Sequence, residues 1–72
     1  MSNDEKDFLI RRAEYSENLA DQHLHNAMEH EKAKRFYKEA FGYFKKAGDK
    51  DSCIRVKAKY DETVLKLKEK ES

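Results

Sequence analysis

Proline and tryptophan are absent from the 72 residues, and glycine occurs only twice. Without proline the chain lacks the residue that most strongly interrupts a helix. Cysteine occurs once, as Cys53, which excludes an internal disulfide and any zinc site built from several thiolates. A single thiol fits a reducing compartment. No apolar run approaches the roughly 18 residues of a membrane-spanning helix. The first residues, MSNDEKDF, lack the basic-then-apolar layout of a signal peptide. A cytoplasmic protein without a membrane span, or a domain cut from one, is the expectation. Alternating β-branched runs are missing as well, so no sheet is expected.

What fills the chain is charge and helix formers. Charged residues make up 43% and apolar residues 38%, which leaves material for one small core. Ala, Glu, Lys, Arg and Leu dominate, and all favour helix. The fold class expected is all-α: a single domain over 1–72, folded as a three-helix up-down-up antiparallel bundle. Its helices are placed at about 4–32, 36–47 and 51–68 from periodicity and caps. The net charge of +1 hides an asymmetry. Residues 1–31 hold three basic and eight acidic side chains, whereas residues 32–72 hold thirteen basic and seven acidic ones. An acidic first helix beside two basic ones would cancel these fields; alternatively, the basic half faces an acidic partner.

The chain is organised around Phe36–Asp51, which contains five of its eight aromatic residues and both glycines. At the helical period, Phe36, Tyr37, Ala40, Phe41, Tyr43, Phe44 and Ala47 fall within an arc of roughly 160°, wide enough to meet two neighbours. Gly42 lies on the polar side, where it costs about 1 kcal/mol relative to Ala. It is either incidental or a point of close backbone approach. Ala47-Gly48 offers a left-handed helix cap, and Asp49 or Asp51 can cap the next helix. The short connection that results places the second and third helices antiparallel.

Before this segment, Ser2 and Glu5 have capping-box spacing. Leu9, Ala13, Ala20, Leu24 and Ala27 form one stripe, with Phe8, Tyr15 and Leu19 forming a second about 100° away. No glycine or proline separates Leu24 from Phe36. Either the chain turns near residues 31–35, or one helix runs from about residue 4 to 47 and requires a second copy to cover its aromatics. After the segment, Cys53, Val56, Tyr60, Val64 and Leu67 form a core stripe. Ile54, Ala58 and Leu65 form another about 120° round, with Asp61 among them. Residues 68–72 are polar and are expected to fray. The core expected is Leu9, Ala13, Ala20, Leu24, Phe36, Tyr37, Ala40, Phe44, Cys53, Val56, Tyr60 and Val64.

Residues that carry chemistry elsewhere are poorly arranged for it here. His23 and His30 share a face, but no third ligand converges with them or with His25, so neither a metal nor another cofactor is expected. Cys53 sits at core spacing as a small hydrophobe. No nucleophile–base pair can be named, so catalysis is not expected. Lys45, Lys46, Lys50, Arg55, Lys57 and Lys59, taken with the chain's four tyrosines, outline a nucleic-acid surface as an alternative.

Two families of helical interaction module are resembled. The run Tyr37-Lys-Glu-Ala40-Phe-Gly-Tyr43-Phe44-Lys-Lys-Ala47 is similar to the second helix of a tetratricopeptide (TPR) repeat. The following Gly48-Asp49 and Cys53-Ile54 resemble the start of the next repeat, although the period of about 34 residues does not recur. More of the chain resembles an MIT (microtubule-interacting and transport) domain. Ala27-Met-Glu-His-Glu31-Lys-Ala33-Lys-Arg-Phe-Tyr37-Lys-Glu-Ala40 looks like the junction of its first two helices. Asp49-Lys50, Ile54-Arg55-Val-Lys57-Ala58, Tyr60 and Leu65-Lys-Leu67-Lys68 look like its third helix. The second helix is shorter than the family's, and Lys34 stands where the family often has glycine. This resemblance implies a role in protein transport and a groove between helices two and three that takes a helical or extended tail of a protein partner. Carried over, the groove uses Phe41, Phe44, Ile54, Ala58, Asp61 and Leu65. The second stripe of helix three agrees with it, although two stripes also serve a helix that merely touches two neighbours. The function expected is non-catalytic docking of a protein or peptide. A homo-oligomeric structural protein, such as a homodimer, and a nucleic-acid binder are the alternatives.

Overall fold

Gly48 and Asp49 break the chain where the sequence marks a break. In this computed structural model, which describes residues 3–26 and 28–71, Gly48 takes the left-handed conformation at φ 78°. The Gly48 N–H donates to the Lys45 carbonyl and the Asp49 N–H to that of Phe44, which closes the helix end in a Schellman motif. Asp49 then caps the next helix. Its carboxylate accepts from the Ser52 N–H at 3.1 Å and from the Ser52 hydroxyl at 2.7 Å. The helices are α1 (Asn3–Asn26), α2 (His30–Ala47) and α3 (Lys50–Glu71), and no strand occurs among the described residues.

The first break falls earlier than residues 31–35, and the continuous helix to residue 47 does not form. No sequence breaker marks the site because Met28 itself adopts φ 52°, a conformation uncommon outside glycine. Glu29 fastens the turn. Its N–H donates to the His23 carbonyl at 2.9 Å, and its carbonyl accepts from the Ala33 N–H at 3.0 Å. Its carboxylate takes Lys32 at 2.9 Å and His23 at 3.3 Å. α3 continues to Glu71 instead of fraying from residue 68. The proposed cap Ser2 and stripe member Ala27 lie outside the described residues.

α2 is the middle helix and packs against both neighbours. Arg12 meets Tyr43, Asp21 meets Tyr37 and His23 meets Phe36, so α1 runs antiparallel to α2. Arg55 meets Phe44, Lys59 meets Tyr37 and Lys70 meets His30, so α3 is antiparallel to α2 as well. The result is an up-down-up three-helix bundle with α1 and α3 parallel, a slab of 46 × 19 × 13 Å.

The buried apolar residues are Ala13, Ala20, Ala33, Tyr37, Ala40, Phe44, Ala47 and Val56. Five of these eight are alanines, so the helices approach closely and two aromatics supply most of the core volume. Leu24, Phe36, Cys53 and Tyr60 pack around this centre only partly buried. Leu9 and Val64, expected inside, are half-buried at its edge. Space for a Cβ at Gly42 is open, so no backbone approaches it closely.

Candidate docking groove

Two features distinguish the two sides of α3: an ionic seam toward α1 and an open groove toward α2. The seam begins with Glu17, an acid on the inward stripe of α1 between Ala13 and Ala20, whose side chain is only 8% exposed. Arg55 grips it with two hydrogen bonds, Nε to Oε2 at 3.0 Å and Nη2 to Oε1 at 2.8 Å. Lys59 donates to the same carboxylate at 2.8 Å and reaches Asp21 at 3.3 Å. Below them the Tyr37 hydroxyl donates to Asp21. Arg55 lies over the Phe44 ring and Lys59 over the Tyr37 ring.

The ionisation of these groups follows from their partners. The Arg55 guanidinium holds the Glu17 carboxyl below the ordinary carboxylate range, with Lys59 acting in the same direction against the effect of burial. Burial alone would lower Lys59, but its hydrogen bond to Glu17 carries it upward. Burial, then the hydrogen bond to Asp21, pushes the Tyr37 phenol up, so it stays a donor.

On the other side, Phe41, Cys53, Ile54, Lys57, Ala58 and Asp61 line a shallow depression of about 340 Å³ between α2 and α3. Four of the six residues expected to form a groove meet there: Phe41, Ile54, Ala58 and Asp61. Leu65 lies one turn beyond Asp61 on the same ridge; it is 60% exposed and Ile54 is 70% exposed. Phe44 is the correction. It is 1% exposed, in the core beneath Arg55, and faces away from the groove. At the groove's edge Lys57 holds Asp61 at 3.1 Å. Lys34 and Lys45 share the face of α2 that carries Phe41, and Lys34 is paired with Glu31 at 3.7 Å. Lys50 and Lys68 extend the same side of α3.

The basic residues outlined for nucleic acid do not form one surface. Arg55 and Lys59 are committed to Glu17 and Asp21, and Lys57 to Asp61. Lys45, Lys46 and Lys50 are exposed around the α2–α3 turn.

A further recess, of about 570 Å³, opens where α3 passes the start of α2. Its wall mixes Asp21, Glu62 and Glu69 with Lys59, Lys66 and Lys70, so it favours neither sign of charge. Two of the three histidines pack into the fold, and His25 is exposed. His23 stacks on Phe36 with ring centroids 5.4 Å apart, and His30 is buried. Among the described residues no three metal-ligating side chains converge, and no helix is long and apolar enough to cross a membrane. Glu17, Asp21 and Thr63 were missed from the sequence. The available signal was polar residues at inward spacing: Glu17 one helical turn from both Ala13 and Ala20, Asp21 one turn beyond Glu17, and Thr63 two turns from Val56.

Fold and surface together define an all-α three-helix bundle with one ionic and one apolar inter-helix face. No protein-family model, curated protein or solved structure matches the chain.

Proposed function

We propose that the chain is a non-catalytic docking module whose α2–α3 groove takes a helical or extended segment of a protein partner, an apolar row flanked by acidic residues. The observation that carries this reading is the exposed row Ile54, Ala58 and Leu65 beside Phe41, with the Lys57–Asp61 pair at its edge. A bundle helix turns its apolar residues inward, so a second row facing water is left over after folding. The row spans about 16 Å, enough for three turns of a partner helix. The resemblance to MIT domains, with a role in protein transport in the cytoplasm, belongs to the same reading. Nucleic acid is the weaker occupant, because three of the six basic side chains proposed for it are already paired.

The test is a titration with a labelled amphipathic peptide that carries leucines along one face and glutamates beside them. Leu65→Asp should abolish binding while leaving helicity intact. Unchanged binding would remove the groove from the function; lost helicity would make Leu65 part of the core.

A further inference from the structure

The chain itself carries a second exposed apolar row, on the outer face of α1. Phe8 is 65% exposed and Tyr15 57%, and by helical period both fall on the side of α1 opposite its buried Ala13 and Ala20. Asp4, Phe8, Arg11 and Tyr15 stand at intervals of four, three and four residues. Ile54, Ala58, Asp61 and Leu65 on α3 stand at the same intervals. Set in parallel, three of the four positions pair: the Phe8 ring would cover Ala58 beside Phe41, Arg11 would join Lys57 at Asp61, and Tyr15 would lie along Leu65. Asp4 falls opposite Ile54, nearest Lys50. The Arg12 guanidinium lies 5.9 Å from the ring centres of both Tyr15 and Tyr43, so it borders the Tyr15 end of this ridge.

Parallel is also the direction the fold provides. Because α1 and α3 run the same way within one molecule, a copy displaced across the slab presents its α1 beside α3 in that orientation. We infer that the groove of one copy takes the outer face of α1 from a second copy. This rests on the reading of the α2–α3 groove as a docking site and names its occupant. Such a contact is heterologous: each added copy leaves one α1 face and one groove free, so growth continues unless the rotation closes a ring. Each contact sets Asp4 near Lys50 and Arg11 at Asp61, so assembly should weaken with salt.

The test is solution mass by light scattering across micromolar to millimolar concentration. The full chain should begin at 8.6 kDa and grow past the dimer. Phe8→Asp removes the α1 face and Ala58→Glu closes the groove; both positions are exposed, and circular dichroism checks that each variant folds. Arg11→Glu replaces Phe8→Asp if the latter does not fold. Each variant alone should stay monomeric. Their equimolar mixture should stop at a dimer, because one copy supplies the only intact groove and the other the only intact α1 face. A full chain that remains monomeric throughout would overturn the inference, as would assembly by the full chain with no dimer in the mixture. Titrating the leucine–glutamate peptide onto Phe8→Asp separates the two readings. Binding there, with no assembly of the full chain, keeps the groove and rejects the second copy; no binding and no assembly rejects both.

Discussion

Replacing Glu17 with glutamine removes the charge at the centre of the α1–α3 seam while keeping its volume. Three charge-assisted hydrogen bonds converge on this carboxylate from Arg55 and Lys59. Breaking a fully buried pair costs about 3–5 kcal/mol, because the remaining charge is stranded. Here the stranded partners are less constrained: Arg55 is 49% exposed and Lys59 34%. Both can turn to water, which moves the cost toward the roughly 0–1 kcal/mol of surface pairs. Glutamine still accepts one hydrogen bond. A loss of about 2 kcal/mol lies between these limits. A domain of this length holds about 4–11 kcal/mol in total, and the loss should lower the melting temperature by about 8–16 °C. Urea unfolding followed by circular dichroism measures it.

The pH dependence supplies a second check. Glu17 has a folded-state pKa below its unfolded value, so the unfolded chain binds the proton more readily. The seam's stabilisation is therefore complete above the ordinary carboxylate pKa of about 4.3 and is lost as pH falls through the lower folded value. The gap between the parent chain and Glu17→Gln should close over that acid range. A variant within about 0.5 kcal/mol of the parent, or a gap that persists in acid, would refute this account.

The remaining predictions concern the core and the second turn. Phe44→Ala should cost about 3–5 kcal/mol, a large share of the domain's stability; a melting transition unchanged from the parent would contradict its burial. Asp49→Ala should cost about 1 kcal/mol by releasing the Ser52 N–H and hydroxyl, read as a lower urea midpoint. Gly48→Ala should also cost about 1–2 kcal/mol, because φ 78° penalises any Cβ even where space is open.

The α2–α3 turn was legible because its chemistry is local: glycine supplies the left-handed residue and aspartate the cap, in adjacent positions. The α1–α2 turn was not. Met28 takes a conformation its type rarely adopts, and the bonds that fix it come from Glu29 to residues on both helices. Helical period likewise placed Phe41 and Phe44 on one broad apolar face. It could not say which edge of that face the third helix would cover. That choice is made by Arg55, which seals Phe44 by reaching for Glu17. Helical period grouped Ile54, Ala58, Asp61 and Leu65 on one ridge, but whether that ridge meets a neighbouring helix or water is decided only by where α2 packs. The seam was not readable because an acid on an alanine stripe acquires a partner only when a third helix arrives.

That late arrival has a kinetic consequence. The two hairpins close through short turns, so their contacts are local and should form fast. The bonds from Glu17 and Asp21 to α3 join residues 38 or more positions apart. They cannot exist until both hairpins share α2, so the seam should form after the folding barrier. Weakening it should leave the folding rate almost unchanged and speed unfolding. On this account the ionic bridge does little to guide the chain to its structure and mainly lengthens the lifetime of that structure once reached.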